Sequence, residues 1–160
     1  MSSSVSQNTL DQIASLLNSE RSALRALKDL LTREQTTLVG SSLDDLVEII
    51  DQKNATLASL EQQAKNRLAL LRQVGLSPNS ATEDWLEKTL PGSVPAWREI
   101  AQLLDETRYL NQVNGELIQT RLRINQQALT VLHNAAQSAS LYGPDGQHNH
   151  PGSGRILGSG

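Results

Sequence analysis

The chain has no cysteine and no phenylalanine. Lack of cysteine excludes disulfides, cysteine-ligated zinc and thiol nucleophiles, and it fits a cytosolic setting. Aromatic residues are only 2% of the sequence, and runs of β-branched or aromatic residues with period two are missing, so little points to strands. A basic surplus is missing as well. The formal net charge is −3, which leaves no global positive field to hold nucleic acid. No run approaches the ~18 apolar residues of a membrane span. The SSSVSQNTL after Met1 has neither the basic start nor the apolar stretch of a signal peptide, so a soluble, cytoplasmic protein without stable membrane insertion is expected. Helix breakers are scarce until late: all five prolines follow Ser77, and six of the ten glycines follow Tyr142.

What is present is mostly leucine, with isoleucine, valine and alanine, in 160 residues. That length allows one domain with a real core, and leucine and alanine favour helices packed along their length. From about residue 8 to 39, Leu10, Ile13, Leu17, Leu24, Leu27, Leu31 and Leu38 alternate by threes and fours, with Glu20 and Glu34 in the missing steps. Leu16, Ala23 and Leu30 widen the stripe, as expected of a helix with two neighbours. Asn8 is the expected N-cap and Gly40 the stop. A second helix, about 42–74, opens with Ser41 or Ser42 as cap and Asp44 and Asp45 in its first turn. Its heptad stripe is interrupted by Lys53 and Arg67, and Gly75 and Pro78 end it. Each helix would be roughly 45 Å long, and the short link between them predicts an antiparallel hairpin.

Residues 77–94 read as a connector with a short helix, about 82–90, whose Trp85, Leu86 and Leu90 pack on an end of the bundle. Pro95 opens a last helix to about residue 139, with Leu103, Leu110, Leu117, Ile124 and Val131 seven apart. Residues 143–160 are rich in glycine, proline and serine and are expected to be disordered. The predicted fold is therefore all-α: a single helical domain over 1–142, with a long antiparallel hairpin, a long third helix completing a coiled-coil-like three-helix bundle, and a connector helix.

Few residues invite chemistry. Asp44, Asp45, Glu48 and Asp51 cluster where a helix dipole accounts for them. His133 is alone on a helix, and His148 and His150 lie in a flexible tail without a third ligand at helical spacing. No phosphate loop, Cys/His pair or Ser-His-Asp arrangement occurs. No catalytic, metal or cofactor residue is assigned, and an enzyme is not expected. Lys53 and Arg67 read either as a basic patch or as side chains laid over the core edge. Asn111 and Asn114, beside the last stripe, either set helix register or contact a partner. Gly115 permits either a close helix approach or a bend. Late in this helix Ile118, Leu122, Ile124, Leu129, Val131 and Leu132 spread over more circumference than one hairpin can cover. Such a face implies a helical partner, or a second copy of the chain when none is present.

Three stretches resemble the FlgN family of flagellar export chaperones. They are LDDLVEIIDQKNATLASLEQQAKNRLALLRQVGL in the second helix, LNQVNGELIQTRLRINQQALTVL in the last, and LYGPDGQ after it. The resemblance implies a cytosolic chaperone that binds the C-terminal helices of hook–filament junction proteins, blocks their premature assembly and brings them to the flagellar type III export apparatus. It makes the last helix from Ile118 onward the client-binding element and Tyr142 a contact for the export gate. Gly115 would then mark where a core-packed half gives way to a client-binding half. The rival expectation is a helical coiled-coil adaptor or scaffold unrelated to secretion.

Overall fold

The computed structural model describes residues 5–40, 42–77 and 81–141, and of Leu141 the backbone alone. They form α1 (Gln7–Val39), α2 (Leu46–Gln73), α3 (Thr82–Thr89), a 3-10 turn (Pro91–Ser93) and α4 (Val94–Leu141). Among the described residues there is no strand. The all-α architecture of hairpin, connector helix and long last helix is the one expected. The chain divides into two compact units, one ending at Ile118 and one beginning at Gln119.

Helix α1 follows its leucine stripe. Ile13, Leu17, Glu20, Leu24, Leu27, Leu31, Glu34 and Leu38 are buried, in unbroken alternation of four and three. The cap is Ser6 and not Asn8. Ser6 has the extended backbone a cap requires, and its Oγ accepts the Thr9 N–H at 3.2 Å, whereas Asn8 already lies within the helix. Gly40 does stop α1, in an extended conformation, its N–H bonded to the Thr36 carbonyl at 3.0 Å. Helix α2 starts later than its charge pattern predicts. The Leu46 N–H bonds to the Leu43 carbonyl in a turn, Asp44 and Asp45 precede the helix, and Glu48 is the acidic residue of the first turn. Ser42 Oγ accepts from Asp44 N–H at 3.4 Å, and Ser41 lies outside the described residues. At the other end Gly75 takes φ +83°. The Gly75 N–H bonds to Arg72 and the Leu76 N–H to Leu71, a paired closure that needs the left-handed conformation glycine adopts freely.

Two polar layers cross the first unit. In one, the Glu20 carboxylate approaches Arg67 to 3.1 Å, and the Arg67 guanidinium lies 5.7 Å from the centre of the Trp97 ring. In the other, Lys53 Nζ lies 2.9 Å from Glu34 Oε2 and also donates to Asn111 Oδ1 at 3.3 Å. Each layer takes one residue from α1, one from α2 and one from α4. The same number of residues separates the two layers along all three helices, which at helical rise is about 21 Å. Helix α2 therefore runs antiparallel to both α1 and the first part of α4. Lys53 and Arg67 are neither a basic patch nor surface snorkels, because the buried glutamates of α1 hold them.

At the Trp97 end, Leu86 of α3 joins Ile13, Leu17, Leu24, Val94, Ala96, Ile100 and Leu103 in one cluster, with Trp85 and Leu90 packed against it. Arg98 ties α4 to α3 through Glu83 and Glu87, at 2.6 and 3.0 Å. Arg25 donates to Glu99 through two bonds of 2.7 and 2.8 Å, and Lys28 meets Glu106 at 2.7 Å, joining α1 to α4 at the rim. Hydrogen bonding from Arg25 and from Lys28 holds the Glu99 and Glu106 carboxyls below their ordinary range.

Removing one partner of a buried pair leaves an uncompensated charge. Lys53→Met should cost about 3–5 kcal/mol in urea unfolding, while the double change Glu34→Leu with Lys53→Leu should be close to neutral or stabilising. Equal losses in the two variants would contradict the pairing. Burial raises the Glu20 carboxyl above its ordinary value by more than Arg67 lowers it. The folded chain thus holds this proton more tightly than the unfolded chain. The resulting stabilisation is complete below the unfolded pKa and is lost as pH rises through the folded one. The stability of wild type minus that of Glu20→Gln should fall as pH rises above the ordinary carboxylate range. A rise would show that Arg67 dominates.

Candidate partner-binding surface

Helix α4 carries two adjacent heptad seams. In the first unit, Ala96, Ile100, Leu103, Thr107 and Asn114 are buried on one seam. This is the seam that meets α1: Asn114 Nδ2 donates to the Leu31 carbonyl at 2.9 Å. The second seam, one residue further round, includes Trp97 and Asn111, which meet α2 through Arg67 and Lys53. Asn114 is completely buried, and its Oδ1 has no hydrogen-bond partner among the described residues. Asn111 is exposed and accepts from Lys53. Both asparagines bond across helices inside the unit.

Gly115 is exposed, and a Cβ added to it would meet nothing within 4 Å. Close helix approach does not explain this glycine. Between the two polar layers lies a groove of about 410 Å³ with Leu24, Leu27 and Leu31 at its floor and Leu57, Leu60 and Leu104 along its sides. Reading the sequence missed both the groove and the ion pairs. The signal was available: Glu20 and Glu34 on one stripe have the same separation as Lys53 and Arg67 on the next, with opposite charge.

The second unit presents a different surface. Leu122, Ile124, Leu129, Val131 and Leu132 are 55–66% exposed. Ile118 falls in the first unit and is half-buried. With 3.6 residues per turn, these five residues and Ala128, Ala135 and Ala136 cover about half the helix circumference, a half that also holds Arg121 and Asn125. The opposite half carries Gln119, Arg123, Gln126, Thr130, Asn134 and Gln137. Tyr142, His148 and His150 lie outside the described residues. Among the described residues no group of three His, Asp or Glu side chains is placed to hold a metal, and no helix is long and apolar enough to cross a membrane.

These features define an all-α protein whose last helix exposes a broad apolar face. The family model described as FlgN protein matches residues 1–150, and the chain belongs to the FlgN family. It is 34% identical over 138 residues to the flagella synthesis protein FlgN of Salmonella typhimurium, a match covering 86% of each chain. It is 30% identical over 140 residues to the FlgN proteins of Yersinia enterocolitica and Proteus mirabilis, covering 86% of this chain and 89% and 90% of theirs. No solved structure matches the chain.

With open space around Gly115, Gly115→Ala should stabilise the chain by about 0.5–1 kcal/mol through helix propensity alone. Chemical denaturation measures this, and a loss of stability would show that the glycine meets a steric demand.

Proposed function

We propose that this chain is a cytoplasmic chaperone of flagella synthesis that binds the C-terminal helices of hook–filament junction proteins. It covers their apolar surfaces, so blocking premature assembly, and delivers them to the flagellar type III export apparatus. The reading rests on membership of the FlgN family, on relatives named flagella synthesis proteins, and above all on the five large apolar side chains exposed in the second half of α4. Exposed leucine, isoleucine and valine at heptad spacing bind a helix well and a polar metabolite poorly. No step of this function requires bond chemistry.

Within this reading Leu122, Ile124, Leu129, Val131 and Leu132 hold the client, with Ile118 at the near end. Tyr142 contacts the export gate. Without a client, a second copy covers the same face, giving a weak homodimer. Gly115 softens α4 just before the client-binding half, so that bound client is released; Gly115→Ala should then slow release.

Calorimetric titration of the full chain with a junction-protein C-terminal fragment should give tight one-to-one binding with a negative heat-capacity change. Leu129→Asp should weaken it by about tenfold or more while shifting unfolding by less than about 0.5 kcal/mol. A well-folded wild type that binds no such fragment would leave a helical adaptor with a different partner.

A further inference from the structure

The second half of α4 continues the two seams that α1 and α2 fill in the first unit. The α1-facing seam runs on, at spacing of three and four, through Leu117, Arg121, Ile124, Ala128, Val131 and Ala135. The α2-facing seam runs on through Leu122, Asn125, Leu129, Leu132 and Ala136. The large apolar members of both beyond Arg121 are exposed. A helix built for one neighbour needs one seam, whereas this one repeats both, about 100° apart around the axis. The seams differ in kind. Beyond Arg121 the first is lined with small or β-branched residues, which let a neighbouring backbone come close. The second is leucine-rich, with one asparagine.

Charge selects among occupants. Residues 117–141 contain no aspartate or glutamate and carry Arg121 and Arg123. A second copy of this segment would bring arginines to arginines and so hold only weakly, as a client-free dimer would. A partner with glutamate or aspartate beside its own apolar stripe would not be repelled, and would be attracted.

We propose that the second half of α4 binds two partner helices at once, one on each seam, and that these helices are acidic at their flanks. The partner thereby takes the places that α1 and α2 occupy along the first half of the same helix. This inference rests on the chaperone reading, with the client supplying both helices, and it specifies the client as a two-helix element.

The test uses the full chain, two probes and one substitution per seam. The first probe is a synthetic amphipathic helix with leucine at heptad core positions and glutamate flanks. Two copies should bind per chain, and one copy to either Ile124→Gln or Leu129→Gln. Affinity should fall as salt is raised, and the same peptide with lysine flanks should bind at least about tenfold more weakly. The second probe is the junction-protein C-terminal fragment, which should bind one-to-one and lose about tenfold or more in each variant. One acidic helix per wild-type chain, or a client that tolerates one of the two substitutions, would overturn the two-helix inference while leaving the chaperone reading intact. A client fragment that does not bind, with two acidic helices still bound, would overturn the chaperone reading alone. Equal binding of the lysine-flanked peptide would overturn the acidic assignment. Self-association that both substitutions abolish, with no peptide bound, would replace the partner with a second copy.

Discussion

A carboxylate removed from water needs a cation beside it, and α1 buries two carboxylates on its core face. Each is answered by a single basic residue of α2. Because Glu20 and Glu34 have the same separation as Lys53 and Arg67, only one antiparallel register satisfies both. Sliding α2 by one turn would leave two buried charges unpaired, a cost of several kcal/mol each, whereas the leucine layers between would slide with little loss. The apolar stripes hold the helices together, and the charged layers decide how they are aligned. Helix α4 reads the same register, with Trp97 on Arg67 and Asn111 on Lys53.

With register fixed, the role of α4 follows from its periodicity. Its first half is closed by α1 and α2, its last buried polar residue being Asn114, bonded to the Leu31 carbonyl. Its second half retains the pattern of a packed helix while its large apolar side chains are exposed. Hydrophobic surface left in water at this density is costly to a protein that keeps it for no reason. The proposed client would supply the missing neighbours and later take them away.

Much of this could be read from the residues. The four helices follow from leucine and alanine at heptad spacing with few breakers before Ser77, and the exposed face of α4 from a surplus of apolar residues spread over more circumference than one hairpin covers. The misses came where a local signal competes with a neighbouring one. Asn8 and Ser6 both suit a cap, and backbone geometry chose Ser6. Asp44 and Asp45 look like a first turn and instead belong to the turn before it. Lys53 and Arg67 were ambiguous because a cation on a stripe is resolved only by what stands opposite, and that depends on tertiary pairing. Gly115 carries no local signal at all, since an exposed glycine in open space is compatible with any account of flexibility.

The central claim is that α4 has two seams filled by its own chain in the first unit and left for a partner in the second. Amide hydrogen exchange on the full chain, with and without the junction-protein fragment, tests it most directly. The account predicts strong protection around Leu103, Thr107 and Asn114 in both states, and weak protection around Leu122, Leu129 and Leu132 that rises sharply when the fragment binds. Protection that is already strong there in the free, dilute chain, or that rises only along the groove between α1, α2 and α4, would contradict it.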